Sequence, residues 1–188
     1  MPPRISHVIG FDDAPFPPEH RGDVLLVGAV YAGPRLEGVL SGKVRRDGVN
    51  ATSTIVRLVS ESRFYEHLQV VLLQGITFAG FNVVDLPAAY AALRLPVIAV
   101  SRRRPDMEAV RSALLQHVPG GRRKWRLIEK AGPIEPAAGV YVQRAGISLG
   151  EAELLIEHLA LNGHLPEPLR TAHLIAGGIA QGESRHRA

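Results

Sequence analysis

Three strand-like apolar runs lie within the first 44 residues, ahead of any segment with helical periodicity. His7–Phe11 is a short apolar run that ends at Asp12-Asp13-Ala14-Pro15, which reads as the start of a Pro-rich loop to Gly22. Val24–Tyr31 is almost wholly apolar and suits burial on both faces. Gly33-Pro34 then turns the chain into Leu36–Val44, and so short a connection joins antiparallel strands.

Beyond Asp47-Gly48 the pattern changes to strand and helix in alternation. Asn50, Thr52 or Ser53 caps a helix expected to run to about His67, with Ile55, Val56, Leu58, Val59 and Phe64 inward. Val70–Leu73 and Pro96–Val100 read as the fourth and fifth strands. Helices are expected over Asp85–Leu93 and from Pro105-Asp106 to about Val118. Trp125–Ile128 and Val140–Val142 read as two further short strands. Ser148, with Glu151 in a capping box, starts a helix over Leu149–Leu161, and Leu169–Ile179 reads as the last helix. Gly182–Ala188 reads as a frayed tail. Hairpin strands followed by βα units predict an α/β fold, a mixed sheet flanked by helices in the RNase H-like layout. With 188 residues, no internal repeat and no long linker, one domain is expected over residues 1–188.

The chain has no cysteine, which excludes disulfides, thiolate metal sites and Cys nucleophiles. No apolar run reaches 18 residues, and Met1-Pro2-Pro3-Arg4 does not open a signal peptide, so a cytoplasmic protein without a membrane partner is expected. Between Arg94 and Lys130, ten Arg and Lys face three acids, a local charge of +7 in a chain of net charge +4. Such a band suits a phosphate backbone; the plainer reading is a solvated arginine-rich face.

Asp12 and Asp13 are the first chemical candidates. Carboxylates at a strand end hold Mg²⁺ or Mn²⁺, which prefer oxygen ligands, although Asp-Asp-Ala-Pro is also good turn chemistry. Asp47 sits in an Asp-Gly turn, and Asp85 reads as a helix cap. Gly75–Asn82 is a Gly-bounded loop that lets backbone approach a ligand, yet it is neither a Walker A loop nor a dinucleotide fingerprint. Arg102, Arg103 and Arg104 follow the fifth strand, where one could reach a phosphate. Eight His show no zinc-ligand spacing, and no Ser lies in a nucleophile elbow. Trp125, among basic residues, either stacks on a base or belongs to the core.

Five stretches read together: Ile9–Phe16, Asp47–Thr52, Gly75–Asp85, Leu95–Arg102 and Leu127–Gly132. They closely resemble a mainly archaeal family first catalogued as domain of unknown function ninety-nine. That family is also called endonuclease dU and is related to endonuclease V; Gly75-Ile76-Thr77-Phe78-Ala79-Gly80-Phe81-Asn82 is its most specific block here. The resemblance implies an RNase H-like fold, Mg or Mn held by carboxylates, and cleavage of DNA or RNA at deaminated bases. The first metal-binding Asp of the pattern falls on Asp12, and Asp47 is the nearest candidate for the second acid. Where the pattern has its third Asp this chain has Gln74, and the pattern's Lys beyond the fifth strand falls on Arg102. A neutral amide at that place weakens metal binding, which Asp13 offsets in part.

The resemblance thus implies metal ligands Asp12, Asp13 and Asp47 and a phosphate-steadying Arg102. Gln74, Gly75, Thr77, Phe78, Gly80, Asn82 and Arg103 would face the substrate. The rival expectations are a catalytically impaired nucleic-acid binder on the same fold and a small-molecule phosphate site. A monomer or homodimer is expected.

Overall fold

A computed structural model describes residues 5–185. Strands β1 (His7–Asp13), β2 (Asp23–Ala32) and β3 (Arg35–Arg45) form an antiparallel meander. Helix α1 (Ala51–Ser60) leads to β4 (Val70–Gln74), which lies parallel to β1. A two-stranded ladder, β5 (Thr77–Phe78) with β6 (Asn82–Val83), and helix α2 (Leu86–Leu93) precede β7 (Val97–Ser101), parallel to β4. Helices α3 (Met107–His117) and α4 (Gly121–Lys130) follow, then β8 (Glu135–Ala137) and β9 (Val140–Ala145). Helices α5 (Leu149–Leu159) and α6 (Glu167–Gln181) close the chain. The main sheet runs β3-β2-β1-β4-β7-β9-β8. This is the expected mixed sheet with helices on its faces.

The central strands are continuous apolar runs because both of their faces are covered. Ile9, Phe11 and Leu73 pack with Ile55 and Val59 of α1 and Ala89 of α2. Val8, Leu72 and Ile98 pack with Ala152 and Ile156 of α5 and Leu169 of α6. Because β1, β4 and β7 are parallel, their C-terminal ends share one edge, which carries Asp12, Asp13, Gln74 and Ser101. Among the described residues, no helix is long and apolar enough to cross a membrane.

Several expectations need correction. Asp12 and Asp13 are not turn residues: β1 runs through them, paired with Val27 and Leu26. The first helix stops at Ser60 rather than His67. Ser62 returns both its N–H and its hydroxyl to the Val59 carbonyl, while Phe64 lies over Gly38 and the Tyr65 hydroxyl donates to Leu93 O at 2.7 Å. Trp125–Ile128 is part of helix α4, not a strand. The buried stripe of that helix is Gly121, Lys124 and Ile128, and a glycine and a lysine do not register as apolar periodicity. The β8 strand was not expected, being three residues around Pro136 at the sheet edge. Of the expected frayed tail, Ser184 packs back on α6 by donating to Leu174 O at 2.7 Å, and residues 186–188 lie outside the described residues.

Candidate active site

One step beyond the Phe11–Leu73 pair, Asp12 and Gln74 end adjacent strands on the same face of the sheet. Asp12 is 5% exposed. Its Oδ1 accepts from the Asp13 N–H at 2.9 Å, and its Oδ2 meets Nδ1 of His173 at 2.9 Å. That hydrogen bond raises the His173 pKa above its ordinary value, against the opposing effect of burial; the Arg102 charge also reaches the imidazole and lowers it. Oε1 of Gln74 is buried and has no hydrogen-bond partner. An unpaired buried oxygen costs free energy, so its persistence at this edge points to an outside partner.

Asp13 turns to the hairpin. Its Oδ2 accepts from the Ala79 N–H at 2.6 Å. Burial pushes its carboxyl up to about 7, with the Asp12 carboxylate adding to the rise. The unfolded carboxyl ionises near 3.8, so the unfolded state gives up this proton first. The contribution of neutral Asp13 to stability is therefore complete below pH 3.8 and is lost as pH rises through about 7. Asp13→Asn keeps an acceptor for Ala79 and stays neutral. Urea unfolding in chelator is expected to show the wild type losing roughly 2–4 kcal/mol relative to this variant between pH 5 and pH 8. Parallel pH profiles for the two proteins would exclude the buried acid.

Asp47 does not join this pair. Its Oδ1 accepts from the Phe81 N–H at 2.8 Å, its own N–H donates to Ala79 O at 2.9 Å, and Arg46 Nε lies 3.5 Å from its Oδ2. A Cβ on Gly80 would come within 2.5 Å of Asp47 Oδ1, so the hairpin tip needs glycine. The buried ammonium of Lys124 donates to the Asp47 carbonyl, and burial lowers its pKa. Asp13 and Asp47 thus clamp the same tip, Ala79–Phe81, and the Asp47 carboxylate is committed to it. Among the described residues no three His, Cys, Asp or Glu side chains have the spacing to hold a metal ion. The expected Asp12–Asp13–Asp47 set thus forms no such cluster: Asp12 and Gln74 share one face of the sheet, while Asp13 and Asp47 both hold the hairpin tip.

Of the other expected residues, Asn82 is wholly buried. It accepts from Ala51 N–H at 2.9 Å and donates to Arg45 O at 2.9 Å and Asn50 Oδ1 at 2.7 Å, locking the hairpin to the start of α1. Phe78 is core. Gly75 and Thr77 instead line a cavity of about 140 Å³ beside the edge, walled by Phe81, Val110, Ile128 and Tyr141. Arg102 and Arg103 are exposed at the end of β7.

Sequence reasoning missed His173 and Lys124. His173 sits one turn from Leu169 and beside Ala172 and Ala176 on the inner side of α6, and a histidine so close to an apolar stripe was the available signal. Lys124 had none, since a lysine between two arginines reads as solvated.

The Endonuclease dU family model matches residues 4–180. A UPF0215 protein of Deinococcus radiodurans is 62% identical over 182 residues, 97% of this chain and 93% of that one. A UPF0215 protein of Methanothermobacter thermautotrophicus is 44% identical, over 96% of this chain and 91% of that one. A crystal structure of a protein of unknown function from Archaeoglobus fulgidus superposes with a TM-score of 0.86 at 35% identity, covering 93% and 98% of the two chains. Human ENDOV superposes with a TM-score of 0.60 at 17% identity, covering 92% and 83%. Endonuclease V of Ciona intestinalis, solved with a 24mer DNA containing an inosine, does so at 0.57 and 14% identity, covering 90% and 83%. At these identities the last two share the fold.

Proposed function

The chain belongs to the endonuclease dU family, and on that premise we propose that it is a metal-dependent endonuclease acting on DNA or RNA at deaminated bases. The observation that carries the reading is the sheet edge, where buried Asp12, held by His173, stands beside the partnerless oxygen of Gln74. The fold that this chain shares with endonuclease V, one of which is solved on inosine-containing DNA, supports a nucleic-acid partner.

The donor chemistry suits a hard cation. Asp12 offers a carboxylate, Gln74 an amide oxygen, and Asp13 a second carboxylate once it gives up its proton, and these would hold Mg²⁺ or Mn²⁺. Such an ion supplies charge stabilisation and a more acidic water for phosphodiester hydrolysis. His173 fixes the Asp12 carboxylate and keeps a proton at the edge. Arg102 places a positive charge where a phosphate would arrive. Gly75, Thr77, Phe81 and Tyr141 give the adjoining cavity the apolar and aromatic walls that suit one extruded base.

A second reading, a nucleic-acid binder with impaired catalysis, is favoured by Gln74, because the site is one negative charge short. Both are tested by one assay. Labelled single- and double-stranded DNA and RNA carrying uracil or hypoxanthine are incubated with Mn²⁺ or Mg²⁺ and either the wild type or Gln74→Asp. The wild type is expected to cut, and Gln74→Asp to need roughly tenfold less metal for the same rate, about 1.4 kcal/mol of added ion binding. Cutting by Gln74→Asp alone would establish the second reading. Silence from both proteins on every substrate would overturn the nuclease reading.

A further inference from the structure

We infer that the outer face of the α3–α4 helical pair is the surface that grips the nucleic-acid backbone beside the cavity; the inference rests on the nucleic-acid reading above. The sequence of α4 makes it two-sided. Gly121, Lys124 and Ile128 face inward, while Arg122, Arg123 and Arg126 are exposed. Arg122 and Arg126 stand one turn apart, about 6 Å along the axis. The orientation is fixed from within. Gly121 is seated against the Leu114 carbonyl of α3 with no room for a Cβ, and the Lys124 ammonium is tied to Asp47.

These arginines are unneutralised. Arg35, Arg45, Arg46, Arg57, Arg144 and Arg170 each lie within 4.0 Å of a carboxylate. Among the described residues no such ion pair involves any arginine between Arg102 and Arg126. Of the nearby acids, Asp106 is committed as the N-cap of α3, accepting from the Ala109 N–H at 3.1 Å, which leaves Glu108 and Glu129. Trp125 offers no stacking platform. It packs with Val83, Leu114 and Ile128, and the Arg111 guanidinium covers its ring at 5.9 Å. The charge census therefore fits a phosphate backbone, which arginine forks bind in pairs of hydrogen bonds, better than it fits base stacking.

Met107, Val110 and Ile128 of the same two helices wall the cavity, and Ser101 and Pro105, which flank Arg102, Arg103 and Arg104, line its rim. A base in the cavity and its strand across the arginines would thus occupy the two sides of one rigid helix pair.

The test is fluorescence anisotropy with labelled 24-nucleotide single-stranded DNA, the matching duplex and the RNA counterpart, from low to moderate KCl, without divalent metal. The proteins are the wild type, the triple variant R122Q/R123Q/R126Q and a control, R57Q/R63Q, on and just after α1 at the β3 edge of the sheet. Circular dichroism and melting confirm that each is folded. The triple variant is expected to bind about 10- to 100-fold more weakly at low salt, with a salt slope shallower by about 2 on log–log axes. The control should match the wild type. Equal slopes and affinities for triple variant and wild type would overturn this surface while leaving the nuclease reading intact. Failure of the wild type to bind any of the three would overturn both. The ranking of the three nucleic acids identifies the backbone that the surface prefers.

Discussion

Asp12→Asn is expected to lower metal-dependent cleavage by about a thousandfold or more while leaving the fold intact. Asparagine has the same shape and retains an acceptor for the Asp13 N–H, which now lies 2.9 Å from Oδ1. What disappears is the negative charge at the sheet edge. With Gln74 already neutral, only Asp13 would remain to bind the cation. Two other readouts separate loss of charge from loss of structure. The thermal stabilisation that Mn²⁺ confers on the wild type should vanish in the variant. The His173 imidazole, whose pKa is raised chiefly by its bond to Asp12, should titrate at lower pH, as followed by NMR. By linkage, the stability that this pair supplies is complete below the ordinary histidine pKa of 6.5 and lost as pH rises through the raised value. That pH dependence should flatten in Asp12→Asn. A variant that still cuts at a tenth of the wild-type rate would remove Asp12 from the site.

Gly10→Ala is expected to destabilise the protein by about 3 kcal/mol, an unusually large effect for one methyl group. A Cβ at residue 10 would lie 2.6 Å from the Pro168 carbonyl carbon and 2.8 Å from the Leu169 nitrogen. These are backbone atoms of the first turn of α6, so no side-chain rotation relieves the clash. Helix α6 must move off β1, and His173, one turn beyond Leu169, moves with it. Urea unfolding reads the stability loss, and the His173 titration should shift toward that of Asp12→Asn although neither residue of the pair has changed. A loss below about 1 kcal/mol would show that α6 adapts freely and that its contact with β1 does not position the histidine.

Local pattern carried much of this molecule. The unbroken apolar runs of β1, β2, β4 and β7 announced strands buried on both faces, because only such strands need no polar side. The caps Asp85, Asp106 and Ser148 were legible because each cap works within three residues, and each side chain accepts from the backbone N–H three positions on. Helix α4 was misread because the two residues that complete its inward stripe, Gly121 and Lys124, are not apolar. Asp12 was legible as a candidate because a carboxylate after a strand is unusual chemistry in a short window. Its partner was not.

The sequence by itself determined the six longer strands, most of the helices, the family resemblance, and the neutral residue at position 74 that sets the charge of the site. The tertiary structure alone decided which carboxylates meet. His173 lies 161 residues from Asp12, Ala79 lies 66 from Asp13, and Lys124 lies 77 from Asp47. Propensity and periodicity act over one or two turns of chain. Pairings of that span exist only after β1, β4 and β7 align their ends and α6 closes on Gly10, because sheet order is set by burial summed over the whole core.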